Sequence, residues 1–274
     1  MSAIGMTAIR AEGFTPPGPA DFNLPPIGPD KTFQFLGETM YLGVTKPMIQ
    51  LVVAAGLVFA FLYYASRKRA MVPGKLQYVG EAGYGFVRNS LGRDIIGSRD
   101  FTPFIPYLVT LFFFLLVNNV MAAIPFIQFP TFGRAGTAYA LALLSWVVYN
   151  GVGIKRHGFF GYFKHQTVPA GIKGPVLLLL VPLEFFSNIL VRPVTLALRL
   201  FANMFAGHLL LILFALGGEY LLLHGEGFTR LAGPVAFLMF GLISLLELLV
   251  QVLQAYVFVL LTSMYISGAV AEEH

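Results

Sequence analysis

Long apolar runs separated by short polar connections dominate the chain. The first extends from Pro47 to Ala65 and is stopped by Arg67-Lys68-Arg69. A second runs from Phe104 to Ile124 and closes at Pro125; a third, from Ala135 to Ile154, is more polar, with Thr137, Ser145 and Asn150. Pro and Gly gather at the run ends, where helices tolerate them. A hydrocarbon core takes about 20 apolar residues of helix, so these runs predict crossings over residues 47–66, 104–124 and 135–155. Between the first two, residues 73–95 mix apolar and charged positions at helical spacing after Val72-Pro73-Gly74. That pattern predicts an amphipathic helix on the membrane surface, with a solvated loop as the alternative.

The last two apolar stretches, residues 174–218 and 231–270, are too long for this scheme. As helices they would reach about 68 and about 60 Å, against a core of about 30 Å. A tilt of about 20° does not absorb the excess, so each run either folds back or lies steeply slanted. Pro182 and Pro193 offer kink points in the first, but the second has no Pro after Pro234. Slanted helices are therefore favoured over hairpins.

Composition agrees. Of 274 residues, 57% are hydrophobic, 15% aromatic and 11% charged, against about 25% charged in soluble domains; mean hydropathy is +0.76. The fold class is an all-α polytopic membrane protein, and a soluble enzyme is excluded. With no Cys, disulfides, thiol chemistry and Cys-ligated metals are excluded too. The net charge of +5 is read as basic cytoplasmic loops, not as a nucleic-acid surface. Residues 1–45 carry Pro16, Pro17, Pro19, Pro25, Pro26 and Pro29. They read as an extended, extracytoplasmic tail ahead of a membrane domain over 46–274, with neither a secretory signal nor an Arg-rich transit peptide.

Lys and Arg alternate between connections. The segment 1–46 is sparse; 66–103 is rich, with Arg67, Lys68, Arg69, Lys75, Arg88, Arg93 and Arg99. The connection 125–134 has only Arg134; 155–173 has Lys155, Arg156, Lys164 and Lys173; 219–230 has only Arg230. Five crossings with the N-terminus outside and the C-terminus cytoplasmic satisfy this pattern.

Two cations remain inside the apolar runs, Arg192 and Arg199. Arg does not escape by losing its proton, and a charge at the bilayer centre costs about 2.5–3.5 kcal/mol or more. At 3.6 residues per turn, Asn188, Arg192, Thr195, Arg199 and Asn203 fall on one stripe, with Glu184 on its edge. His208 lies about half a turn away. In the last run Ser244, Glu247, Gln251 and Gln254 make a second seam. One basic and one acidic-amide seam suggest a hydrated ion path. Structural readings stand beside it: an ion pair of Arg199 with Glu247 or Glu184, a Glu247–His208 hydrogen bond, or amides serving as packing glue. Asn118 and Asn119 read as interhelical contacts, and Trp146 as an ordinary span residue. Phosphate-loop, dinucleotide, His-Glu-x-x-His and nucleophile-elbow motifs are absent from the sequence. No cofactor or metal is expected. A secondary transporter and a passive scaffold are the competing classes.

The segment Leu196-Ala-Leu-Arg199-Leu-Phe-Ala-Asn203-Met-Phe-Ala-Gly207-His208, with Arg192-Pro193 before it and Leu253-Gln254-Ala255-Tyr256 after it, closely resembles the a-subunit family of F-type rotary ATP synthases. Val72-Pro73-Gly74-Lys75-Leu76-Gln77, Asn118-Asn119 and Glu272-Glu273-His274 are also similar to that family. The resemblance covers roughly 45–274. It implies one N-terminal span, a surface helix, a two-helix hairpin and two long tilted helices facing a c-ring. Arg199 matches the family's essential arginine, and Asn203 and Gln254 match residues lining its ion path. His208 and Glu247 match positions where some members carry the two residue types exchanged, which implies one shared proton path. Gln251 and Ser244 are placed on that path; Arg192, Thr195, Asn188 and Glu184 are a further polar seam. Glu184 sits about one residue from a family acidic position, so its role is open. The implied partners are the c-ring, peripheral-stalk b subunits, the whole synthase and the lipid of a bacterial plasma membrane.

Overall fold

The computed structural model describes residues 14, 16–22, 27, 32–35, 38–41, 44–67, 70–124, 130–168 and 176–271. Pro25, Pro26, Pro29, Lys68, Arg69, Pro125, Lys173 and Glu272-Glu273-His274 lie outside the described residues.

Among the described residues, eight α-helices of nine or more residues form the body: α1 (Lys46–Arg67), α2 (Lys75–Phe86), α3 (Ile105–Ala123), α4 (Ala135–His157), α5 (Phe159–Thr167), α6 (Leu177–Phe185), α7 (Arg192–His224) and α8 (Ala232–Val270). The region predicted amphipathic continues past α2 through a π-helical segment, Val87–Arg93, and a short turn, Asp94–Ile96. Its buried positions are Gly80, Val87, Leu91, Gly92 and Ile96. Among the described residues, five helical stretches are long and apolar enough to cross a membrane: Lys46–Arg67, Thr102–Ala123, Ala135–His157, Leu177–His224 and Gly227–Val270. The last two run unbroken over 48 and 44 residues, so neither folds back into a hairpin. The first passes through a π-helical turn, Phe186–Val191, between α6 and α7.

The membrane domain is all-helical as expected, and a short hairpin precedes it. Thr32–Phe35 and Glu38–Tyr41 form a two-stranded antiparallel hairpin, β1 and β2, with Thr32 opposite Tyr41 and Phe35 opposite Glu38. The alternation Thr32-Phe33-Gln34-Phe35 before Gly37 is the strand signal that the proline-rich composition overshadowed. Farther upstream, Phe14 packs its ring on Tyr220 with centroids 5.6 Å apart, and Tyr220 stacks on His224 at 4.8 Å. Phe14 thus lies against the far end of α7.

α8 is the hub, packed on α7, α3 and α4, while α4 also packs on α7. Leu108 and Leu115 of α3, Leu196, Ala197, Leu200 and Met204 of α7, and Ala255, Phe258, Val259 and Ile266 of α8 are fully buried. Small residues here let helices approach closely, which matters where lipid offers no hydrophobic drive to associate. Polar bonds tie the elements: Tyr107 Oη donates to Ser145 Oγ (2.9 Å) between α3 and α4, and Asn119 Nδ2 donates to the Gln251 carbonyl (2.8 Å) between α3 and α8. After α4 the chain turns at Gly158, whose φ of 72° suits glycine. α5 then folds back so that the Tyr162 ring occupies the space a side chain at Gly153 would need.

Candidate functional site

Arg199 lies on the exposed side of α7, although Leu196, Ala197 and Leu200 beside it are buried. No hydrogen bond or ion pair joins it to another described residue. Glu184 and Glu247, the two partners a structural ion pair would require, are engaged elsewhere. Asn188 Nδ2 donates to Glu184 Oε2 at 3.0 Å, and Gln251 Nε2 donates to Glu247 Oε1 at 3.1 Å. The guanidinium is therefore presented outward from the helix bundle.

Behind it, α7 and α8 meet through amides. Asn203 Nδ2 donates to Gln254 Oε1 at 2.6 Å. Gln254, Gln251 and Glu247 are 3, 3 and 7% exposed, one helical turn apart along α8. The Glu247 carboxyl rests against the α7 backbone at Gly207: a β-carbon there would lie 3.2 Å from its Cγ, Cδ and Oε1. Gly207 thus makes the room that brings an acid to α7 beside His208, which is half-buried. Glu247 Oε2, Gln251 Oε1, Gln254 Nε2 and Asn119 Oδ1 are buried with no partner among the described residues. Native interiors leave few such atoms. Four of them line the Glu247–Gln254 stretch of α8, one on the Glu247 carboxyl itself, and are suited to hydrated proton exchange.

The other predicted seam residues separate from this group. Arg192 places its guanidinium 5.2 Å over the Tyr265 ring, a cation–π contact. The Thr195 hydroxyl bonds back to the Val191 and Arg192 carbonyls, and Ser244 to Phe240. Asn188 donates to the Gln166 carbonyl at 2.7 Å, which ties it to α5. There Tyr162 Oη donates to Asn150 Oδ1 (3.0 Å) and receives Gln166 Nε2 (3.3 Å). Burial pushes the Tyr162 phenol up to about 12, against a smaller opposite pull from Arg192. The uniform stripe drawn from Asn188 to Arg199 assumed 3.6 residues per turn throughout. The π-turn at Phe186–Val191 inserts about one residue, or about 100° of phase, and turns Glu184 and Asn188 away from the Arg199 face.

Sequence reasoning missed Gly207, whose signal is a small residue beside a polar one, and Trp146. The latter donates its indole N–H to the Ile189 carbonyl in the π-turn at 2.9 Å. Among the described residues no group of three or more His, Asp or Glu is placed to hold a metal ion.

Comparison with known proteins agrees with the motif around Arg199. Relatives named ATP synthase subunit a include that of a Nocardioides species, 67% identical over 266 residues, covering 97% of this chain and 96% of the relative. The Pseudarthrobacter chlorophenolicus protein is 45% identical over the full length of both chains. The one from Streptomyces lividans is 43% identical across 96% of this chain and 90% of its own. Residues 48–267, from the first turn of α1 to the last turn of α8, match the family described as ATP synthase A chain, and this multi-pass membrane chain belongs to that family.

Proposed function

We propose that this chain is the proton-translocating stator subunit of an F-type ATP synthase, placed beside a c-ring and held by peripheral-stalk b subunits in a bacterial plasma membrane. In this reading the N-terminus is outside and the C-terminus cytoplasmic. α2 lies on the membrane surface, α3 and α4 form a hairpin, and the two long helices tilt along the ring. The observation that carries it is Arg199: exposed, unpaired among the described residues, and set between long apolar flanks.

A c-ring carboxyl travels through lipid as the neutral acid. When it meets Arg199, the fixed positive charge within about 4–6 Å favours the ionised form, typically by about 1–3 pKa units, and the proton leaves toward the cytoplasmic half-channel. The guanidinium also repels any proton that would pass straight between half-channels. Because neither Glu184 nor Glu247 neutralises it, Arg199 is available to each arriving carboxylate in turn. Supply from outside runs through Glu247, His208 and Gln251, with Asn203 and Gln254 linking them to the Arg199 face. Each proton descending 100 mV releases about 2.3 kcal/mol, which one-way access turns into rotation. In this reading the energy reaches ATP through the complex.

The test is Arg199→Ala in the assembled synthase. ATP-driven proton pumping into inverted vesicles should be abolished while the complex still assembles. Coupled pumping at the parental rate overturns the proposal.

A further inference from the structure

We propose that Trp146 is a positioning residue for Arg199, acting through the carbonyl of Ile189; the inference rests on the role given to Arg199 above. In an unbroken α-helix the Ile189 carbonyl would accept the N–H four residues on. That residue is Pro193, which has no N–H and whose ring crowds that same carbonyl. Inside a bilayer no water replaces the missing donor. The chain resolves the conflict in two ways. The backbone widens into the π-turn Phe186–Val191, where the Arg192 N–H reaches the Ser187 carbonyl. Trp146, at the middle of α4, then supplies its indole N–H to the Ile189 carbonyl at 2.9 Å.

The turn is pinned from a second direction by Asn188, bonded to the Gln166 carbonyl and to Glu184, and just beyond it by Arg192 over Tyr265. These contacts fix the phase at which α7 begins, and α7 carries Arg199 less than two turns later. Phase decides the outcome because the two sides of α7 differ. Leu196, Ala197 and Leu200 are packed, whereas Thr195, Leu198, Arg199 and Ala202 are exposed. Relaxing the π-turn to α geometry rotates the following helix by about 100°, carrying Arg199 from the open face toward the packed one. A sole tryptophan in the chain, half-buried in mid-span and bonded to the one carbonyl Pro193 orphans, therefore sets the aim of the cation.

The experiment changes only the hydrogen-bond donor. In the whole synthase, Trp146 is replaced site-specifically by benzothienylalanine, which keeps the fused rings and puts sulfur where the N–H was. A parallel sample carries 5-fluorotryptophan, which keeps the N–H. Both are also made with Ala202→Cys, the introduced thiol being the chain's only one. The benzothienyl variant should assemble at parental yield, pump about 10-fold more slowly, and show a several-fold change in maleimide labelling at position 202. The fluoro variant should match the parent in all three. Unchanged pumping without the N–H overturns the inference, as does slower pumping with unchanged labelling. Loss of assembly overturns it too, since the claim is confined to aim. Arg199→Ala, measured in the same vesicles, separates the two readings. If it pumps normally both fall, whereas a dead Arg199→Ala beside a normal benzothienyl variant removes Trp146 alone.

Discussion

Gly207→Ala tests whether the seat of Glu247 against α7 is used in proton delivery. The added methyl would stand 3.2 Å from three atoms of the Glu247 side chain, where unstrained carbon contacts sit at about 3.5–4.0 Å. The carboxyl must therefore retreat by a few tenths of an ångström, or α8 must move with it. The retreat lengthens the Gln251 Nε2–Oε1 bond, already 3.1 Å. Two opposing terms act on stability. Replacing a mid-helix glycine by alanine gains about 0.5–1 kcal/mol, and overpacking costs about 1–3 kcal/mol. The net loss is too small to unfold a five-span protein, so assembly should stay near the parental level. Function is more exacting, because displacements approaching an ångström cost up to about 100-fold in positioned chemistry. ATP-driven quenching of a pH-sensitive dye in inverted vesicles should fall about 10-fold in Gly207→Ala. Gly241→Ala on α8, where an added methyl meets nothing within 4 Å, should match the parent. Parental pumping by Gly207→Ala at parental yield would refute the use of this seat.

Two other outcomes follow from the same geometry. Glu247→Gln keeps the side chain's shape and its bond to Gln251 but loses the exchangeable acid, so passive proton flux through the ATPase-stripped membrane sector should drop at least ~10-fold with normal assembly. Unchanged flux would reduce Glu247 to a structural residue. Tyr162 has its ionisation pushed from the usual 10 up to about 12 by burial. The folded form holds its proton where the unfolded form has lost it, so stability present below pH 10 is lost as pH rises through 12. Thermal unfolding of the complex between pH 9 and 12 should be less pH-dependent in Tyr162→Phe, and an identical slope would show that Tyr162 does not report on α5 docking.

Much of this was legible in the sequence because its causes are local. Runs of apolar residues announce crossings whatever they pack against. The lengths of 174–218 and 231–270 exclude ordinary single upright spans by arithmetic alone, and the helices found there, Leu177–His224 and Gly227–Val270, are unbroken. Arg199 was visible because a permanent cation among leucines demands a reason, and the Asn203–Gln254 contact joins two positions that the motif had singled out. What sequence periodicity could not give is phase. A single inserted residue at Phe186–Val191 rotates everything upstream relative to everything downstream, so Glu184 and Asn188, placed on the Arg199 stripe by spacing, bond instead to each other, and Asn188 also to α5. Nor could spacing show that Gly207 is a seat for an acid 40 positions later, since its meaning lies in what approaches it. Trp146 looked ordinary because an indole in a span usually is; its role comes from a proline on another helix.

The contact between Phe14 and Tyr220 supplies a parity check on the membrane topology. Between these two rings the chain threads α1, α3, α4 and the α6–α7 rod. Aromatic rings touching at 5.6 Å share one face of a bilayer, so the traverses separating them must be even in number. Had one of those four been a re-entrant loop, or had the α6–α7 rod doubled back, the amino-terminal segment would be stranded on the wrong face.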